Sequence, residues 1–335
     1  AALAGVNYAV GVASGTDALQ IAIMAEGIGP GDAVFLPAFT FTATAEVVLS
    51  TGATPVFCDV DGRDFNINCD LLEEKIKTVA DSSDLKPRAI IAVDLFGLPA
   101  DYAKLHLIAK THGLFLLADG AQSFGAHYRK GRVGGLAPAT ALSFFPAKPL
   151  GCYGDGGACF TNDDDLAMKI RAIKSHGGVK RFHHHYIGLN GRLDTIQAAI
   201  LNVKLPYFNE TLKKRNECAD YYTENLKDLE EKGLLKTPKV IENRMSAWAQ
   251  YPLIITDKET RDKMVKHLKE NKVNAAIFYP APLHTQKCFE YLNCKLGSLP
   301  VTERICDTVF NLPCYGEVTR EEQDYIIDIV KKIFN

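Results

Sequence analysis

Ala141-Leu142-Ser143-Phe144-Phe145-Pro146-Ala147-Lys148-Pro149-Leu150-Gly151-Cys152-Tyr153-Gly154-Asp155-Gly156-Gly157 is the stretch on which the reading of this chain turns. An apolar run of β character stops at Pro146, delivers one lysine between two prolines, and dissolves into glycine. Proline fixes φ, so the backbone on both sides of Lys148 is restrained. A lysine held out of water at a strand end has a lowered pKa, and its neutral amine attacks carbonyls. A solvated lysine in a turn is the competing reading, and the rest of the chain decides between them.

Outward from this stretch, short apolar runs alternate with amphipathic ones. Strands are predicted at 8–13, 33–37, 54–59, 89–95, 114–119, 140–145 and 157–161, and helices at 16–26, 42–49, 70–79, 101–112 and 163–175. Continuous apolar strands alternating with helices specify an α/β fold with a mostly parallel sheet covered on both faces. Ligands of such sheets bind beyond the carboxyl ends of the strands. Near residue 205 the pattern changes: helices are predicted at 192–204, 207–231, 258–271 and 321–334, with extended segments at 248–256 and 274–278. This divides the chain into a large domain, 1–205, and a smaller α+β C-terminal domain, 206–335.

Composition removes several function classes. With 335 residues, 47% apolar and 23% charged, the chain has the makeup of a globular protein, and its net charge of -2 supplies no field for nucleic acid or an anionic membrane. No apolar run approaches the roughly 20 residues of a membrane span. The nine cysteines are odd in number and form no Cys-x-x-Cys pair, which argues against a disulfide framework or structural zinc and for a reducing, cytoplasmic setting. His183, His184 and His185 are adjacent, so their side chains cannot all face one ion, and no metal is expected. The chain begins at Ala1 and enters a strand almost at once. The natural protein is therefore expected to carry further residues before it, including a helix packed on the large domain.

Several segments fall where a carbonyl cofactor bound by Lys148 needs them, and pyridoxal 5′-phosphate (PLP) is the obvious carbonyl. Ser14-Gly15-Thr16-Asp17 follows a strand and opens a helix, so its free N–H groups can cradle a phosphate, although serine and threonine also simply cap helices. Asp119 closes the apolar run 114–118. A buried carboxylate there needs a cation, and a protonated pyridine nitrogen is one; capping the following turn is the alternative. Gln122, one turn on, can reach the ring oxygen. Phe41 follows another strand end and can either stack on a pyridine face or pack in the core. The Ser143 hydroxyl can add to the phosphate or bond backbone. No P-loop exists, and no Gly-x-Gly-x-x-Gly follows a strand.

The blocks Ser14–Leu19, Asp119–Gln122, Ser143–Lys148 and Gly188–Asp194 stand in the order found in the DegT/DnrJ/StrS-type sugar aminotransferases, and the resemblance extends through 197–199, 279–280 and 282–284. It implies the type I, aspartate-aminotransferase-like fold of PLP-dependent transferases, and a homodimer with active sites at the subunit interface. It implies Lys148 as Schiff-base lysine and catalytic base, and Asp119 as partner of the pyridine nitrogen. Gln122 then contacts the ring oxygen, Phe41 stacks on the ring, and Gly15, Thr16, Asp17 and Ser143 hold the phosphate. Asn190 reaches the phosphate of the neighbouring subunit, and Arg192, Tyr279 and His284 meet the substrate. Dehydrating relatives carry histidine in place of the lysine, so Lys148 implies amino transfer.

The stretch 144–160 is most similar to enzymes that aminate UDP-2-acetamido-2-deoxy-3-ketoglucuronate in O-antigen synthesis, with glutamate as donor. Arg192 is the candidate clamp for the uronate carboxylate; an ion pair near Asp194 is its alternative role. Phe278 stands where relatives often have histidine before Tyr-Pro. A 4-keto-6-deoxy-sugar nucleotide is the alternative substrate, a non-catalytic sugar-nucleotide-binding regulator the alternative of another class, and a lyase using Cys152 a further reading.

Overall fold

In the computed structural model, which describes residues 1–334, a seven-stranded sheet organises the first half of the chain. Its strands are β1 (Tyr8–Val12), β2 (Asp32–Pro37), β3 (Thr54–Cys58), β4 (Lys86–Val93), β5 (Phe115–Asp119), β6 (Ala139–Ser143) and β7 (Gly157–Thr161). They lie in the order β1-β7-β6-β5-β4-β2-β3. The five from β3 to β6 run parallel, and β7 runs antiparallel to both of its neighbours. The sheet is therefore mostly parallel, as the sequence implies.

Strand alternation explains the two covered faces. In β4, Ile90 and Ala92 enter one apolar cluster with Leu72 and Leu105, while Ala89 and Ile91 enter the opposite one with Leu19 and Val48. The first face is covered by α3 (Cys69–Ser82) and α4 (Tyr102–His112). The second is covered by α1 (Gly15–Ala25), α2 (Ala43–Ser50) and α5 (Asp164–Ile173). Because both faces are buried, the strands read as unbroken apolar runs. The carboxyl ends of β2, β4, β5 and β6 share one edge, and α1 begins there after β1.

Beyond α6 (Thr195–Lys204) and α7 (Phe208–Asn225), a second sheet orders Leu235–Lys236 (β8), Tyr251–Ile255 (β9) and Val309–Leu312 (β10) as β8-β9-β10. It packs with α7, α8 (Lys258–Glu270) and α10 (Arg320–Lys332) around Tyr222, Tyr251 and Phe310. Between α8 and β10 the chain returns to the first sheet, where Leu283, Phe289 and Leu299 join the cluster on the α1 face.

Three local expectations are corrected, and one helix is added. Residues 274–278 form no strand, only a bridge from Ala276 to Asn311. The long helix expected over 207–231 breaks at Leu226, which is fully buried, before a short helix at Lys227–Glu231. Arg192 is not helical: Asn190 and Arg192 bridge to Ser175 and Val12 in extended backbone, and α6 starts only at Thr195. The unforeseen α9 (Pro300–Thr308) has Pro300 in its first turn and a cap from far away, with Asp59 accepting the N–H groups of Val301 and Thr302. No helix is long and apolar enough to cross a membrane among the described residues.

Candidate active site

Glycine decides how closely α1 meets the sheet edge. A Cβ on Gly15 would lie 2.7 Å from Ser143 Cβ, and one on Gly157 would lie 2.3 Å from the Ser14 carbonyl oxygen. Without side chains at these two positions, the start of α1 settles against the ends of β6 and β7 and brings Ser143 beside it. Ser14 Oγ accepts from Asp17 N–H and the Ser14 carbonyl accepts from Ala18 N–H. The helix thus leaves the N–H groups of Gly15 and Thr16 facing outward, and its dipole favours an anion there. Asp17 brings no free donor: its N–H is occupied, and its carboxyl lies against Gly191 and feels the charge of Asp155. Asp17 therefore stands in the helix start beside the expected phosphate site, with its N–H already used.

Lys148 sits in a loop that folds back under β6. Its own N–H donates to the Phe145 carbonyl, Cys152 N–H donates to the Phe144 carbonyl, and Gly151 passes directly beneath Pro146. The side chain is largely enclosed and, among the described residues, forms no ion pair. Burial lowers its pKa, and the charge of Asp119 opposes that shift. Cys152 lies in the same loop but is fully buried, with its thiol directed at the carbonyls of Phe144 and Gly154, so the lyase role is dropped for want of access.

Asp119 ends β5 in the interior. Burial pushes its carboxyl up, while the Thr44 hydroxyl, the Ala121 N–H and the Lys148 charge pull it down. Thr44 donates to Oδ2 at 2.9 Å and Ala121 N–H to Oδ1 at 3.2 Å. The next strand end carries a second buried acid. Asp94 accepts from Ala100 N–H, the Tyr102 hydroxyl and the Ser123 hydroxyl, and burial pushes its pKa up to about 7. A carboxylate at Asp119 thus faces one cation that burial discourages and one neighbouring acid. A positively charged group beside it would complete its charge balance.

Gln122 spans two elements rather than standing free. Its Oε1 accepts from Phe96 N–H at 2.6 Å, and its Nε2 donates to the Tyr279 hydroxyl at 3.2 Å. Tyr279 is pushed up by burial, and the Asp119 charge adds to the shift. Phe41 is 56% exposed, so the core is not its place; its ring lies 6.4 Å from that of Tyr279. Phe41, Gln122, Asp119 and Tyr279 therefore converge at the carboxyl edge of the sheet. His284 is a correction. Its side chain is fully enclosed and its Nε2 pairs with Glu303 Oε1 at 3.1 Å, so it supports α9 instead of meeting a substrate. Asn190 and Arg192 are both exposed, and among the described residues Arg192 forms no ion pair, with Asp194 or otherwise.

Thr44 and Asp94 were not singled out from the sequence. Asp94 closes an apolar run, 89–93, just as Asp119 closes 114–118, and that parallel was the available signal. Thr44 gave none, since its contact with Asp119 spans 75 residues.

The fit to PLP follows from these residues. There is a buried carboxylate without an ion pair among the described residues for the pyridine nitrogen, a lysine amine that burial disfavours as a cation for the carbonyl, and a helix end with two open N–H groups and a serine for the phosphate.

Comparisons with known proteins agree. Residues 1–331 match the DegT/DnrJ/EryC1/StrS aminotransferase family. The chain is 43% identical to UDP-2-acetamido-2-deoxy-3-oxo-D-glucuronate aminotransferase of Pseudomonas aeruginosa, over 93% of this chain and 82% of that one. It is 40% identical to a pleiotropic regulatory protein of Geobacillus stearothermophilus, over 100% and 87%. Among solved structures, a DegT/DnrJ/EryC1/StrS aminotransferase from Brucella abortus superposes with a TM-score of 0.93 at 42% identity, covering 98% of this chain and 87% of that one. NtdA of Bacillus subtilis, with the cofactor PMP bound, gives 0.88 at 31% identity, covering 98% and 73%. A match over nearly every residue, resting on a site that suits the cofactor, makes this chain a member of the DegT/DnrJ/EryC1/StrS aminotransferases, enzymes that work with pyridoxal phosphate.

Proposed function

We propose that this enzyme moves the amino group of glutamate to a 3-keto-sugar nucleotide, UDP-2-acetamido-2-deoxy-3-ketoglucuronate, for a bacterial surface polysaccharide such as O-antigen. The observation that carries the amino-transfer reading is the pair at the sheet edge: a desolvated lysine amine and a buried carboxylate whose charges act on each other. PLP supplies the carbonyl that takes the amino group and the ring that draws electron density from it. Lys148 Nζ would pass the donor's α-proton on to the cofactor in the first half of the reaction and, in the second, would move a proton from the cofactor to the sugar carbon that receives the amino group. Asp119 holds positive charge on the pyridine nitrogen, with Thr44 and Ala121 fixing both of its oxygens. Gly15, Thr16 and Ser143 hold the phosphate, Gln122 lies toward the ring oxygen, and Phe41 covers the ring with Tyr279 beside it.

Asn190 is exposed and, in this reading, completes the phosphate site of a second copy. Phe182 and Ile187 precede it in the chain, Ile196 and Val203 lie on α6 and Tyr207 just beyond it, and each is at least 66% exposed. Such apolar exposure favours a homodimer that covers them. The regulator named among the relatives keeps a second reading in view, that of a non-catalytic sugar-nucleotide binder. Nothing in binding alone calls for a desolvated lysine opposite a buried aspartate.

Arg192 supports the uronate. It is an exposed guanidinium with no ion pair among the described residues, two residues from Asn190 and suited to a bidentate carboxylate contact. Arg192→Ala is expected to raise KM for the 3-ketoglucuronate nucleotide by about 10–100-fold, the worth of charge-assisted hydrogen bonds, and to leave the neutral 3-keto analogue within about twofold. Half-reactions of the pyridoxamine form with uronate, neutral and 4-keto-6-deoxy nucleotides, followed by cofactor absorbance, check this. Equal loss on all three removes the uronate from the proposal.

Gly15→Ala tests the cradle. The new methyl has no space against Ser143, so the fold is expected to lose about 1–3 kcal/mol, as for other overpacked sites. PLP affinity should fall about tenfold with the loss of one charge-assisted bond. Urea unfolding and a fluorescence titration with PLP read the two effects, and an unchanged PLP affinity separates α1 from the phosphate.

A further inference from the structure

The turn that follows β4 is held more tightly than a connection requires. Phe96 in it has a φ of 58°, a left-handed conformation uncommon outside glycine, and Gly97 follows at 102°. Strained backbone of this kind persists only where its surroundings fix it. Three sides fix it here. Asn66, in the loop after β3, accepts the Leu95 N–H through Oδ1 and donates to the Leu98 carbonyl through Nδ2, at 3.0 Å each. Just ahead of β9, the N–H groups of Ala247 and Ala249 donate to the carbonyls of Gly97 and Phe96. Asp94 closes the turn from within. Its Oδ1 accepts from Ala100 N–H and the Tyr102 hydroxyl and its Oδ2 from the Ser123 hydroxyl, at 2.8–2.9 Å. This side chain is fully buried, and among the described residues no cation pairs with it.

The strained turn delivers one N–H. That of Phe96 meets Gln122 Oε1 at 2.6 Å, and a backbone N–H can donate only to the oxygen end of an amide. The contact therefore decides which way the Gln122 amide faces. Nε2 is turned toward the Tyr279 hydroxyl at 3.2 Å, and its second N–H is left for a ligand. An inverted amide would present its own oxygen to the cofactor's ring oxygen and repel it. Asp94 acts on Gln122 twice, through Phe96 on the side chain and through Ser123 on the backbone.

We propose that Asp94 is a positioning residue of amino transfer: by locking the 94–100 turn and Ser123, it holds Gln122 with Nε2 toward the cofactor's ring oxygen. This rests on the aminotransferase reading and adds what keeps Gln122 in register. Asp94 works through its hydrogen bonds, so asparagine can replace it. The asparagine oxygen keeps Ala100 N–H and the Tyr102 hydroxyl. Its amide donates to Ser123 Oγ, whose proton then turns to the Gly120 carbonyl.

Absorbance of the lysine-bound cofactor against pH reads the contact directly. A donor on the ring oxygen stabilises its negative charge and loosens its hold on the proton of the neighbouring lysine–cofactor nitrogen, so losing the donor moves the midpoint up. Gln122→Ala and Asp94→Ala should each raise that midpoint by about 0.5–1 and lower kcat about tenfold, the worth of one hydrogen bond. KM for glutamate and for the keto-sugar nucleotide should stay within about twofold. Asp94→Asn should recover most of both losses. Asp119, Lys148 and Tyr279, the titratable groups placed around the ring, are the same in every variant. In the double variant of Asp94→Ala with Gln122→Ala the losses should not add, because one acts through the other. If Asp94→Ala does not fold, Ser123→Ala removes one of the three bonds and carries the test, with a smaller shift in the same direction. Full additivity overturns the proposal, as does Asp94→Asn folded but as impaired as alanine. A native midpoint in Gln122→Ala also overturns it, since Gln122 then does not meet the ring oxygen. Protein whose midpoint follows Asp94 and Gln122 but which transfers no amino group keeps the positioning role and removes the aminotransferase reading.

Discussion

Replacing Lys148 by alanine is expected to lower amino transfer by roughly 10⁴-fold, the upper end of what a positioned acid–base group contributes, while the protein stays folded. Both halves follow from the loop. Among the described residues the lysine amine makes no ion pair, and the loop's shape is set by backbone bonds from Lys148 to Phe145 and from Cys152 to Phe144 and by its two prolines. Removing the side chain therefore takes away chemistry and little structure. It also removes a cation that burial already disfavours. Lys148→Arg separates charge from proton transfer: the guanidinium stays protonated, so it should fail as badly as alanine. A small primary amine added to Lys148→Ala should restore part of the rate. Steady-state turnover, thermal melting and the absorbance of the lysine-bound cofactor check the three statements. Normal amino transfer by the alanine variant would remove Lys148 from the chemistry, whereas native protein that consumes no glutamate with any keto-sugar nucleotide would return the non-catalytic regulator to the front.

The sheet and the principal pair were legible because each is written locally. Runs such as Ala89–Val93 and Leu114–Ala118 are apolar throughout, since each strand is covered on both faces. Against such runs a terminal aspartate, or a lysine between prolines, stands out. What was not legible depends on contacts between distant residues. The Gln122 bond to the Tyr279 hydroxyl spans 157 residues, and the cap that Asp59 gives to α9 spans 243. No window of sequence contains such pairs. His284 illustrates the cost. A histidine after Pro-Leu looks available to a substrate, and only the fold reveals Glu303 against its ring.

Asp119→Asn is expected to reduce turnover about 10³-fold and, in cofactor-free protein, to raise the melting temperature. The kinetic loss follows from charge. A pair of opposite unit charges at contact distance in a protein setting of effective dielectric near 20 is worth about 4 kcal/mol, and that is roughly three powers of ten in rate. The stability gain follows from the direction of the Asp119 shift. Burial raises its pKa in the folded chain above the ordinary carboxylate value of 3.8. The folded state thus holds the proton more tightly, so stability falls as pH rises from the unfolded pKa through the folded one. Above that window the native protein without cofactor bears the full penalty. Asparagine has no charge to desolvate. Its oxygen can keep the Ala121 N–H, and its amide can donate to the Thr44 hydroxyl, which then turns its proton toward Thr40, 3.0 Å away. The pH dependence of the melting temperature should flatten above the ordinary carboxylate value of 3.8, and the stabilisation conferred by PLP should shrink, because the cation on the pyridine nitrogen has lost its counter-ion. Melting curves of both proteins, with and without PLP across that pH range, measure all of this beside turnover. A variant less stable than the native protein without cofactor would mean that Asp119 serves the fold, and an unchanged response to PLP would mean that it does not meet the ring.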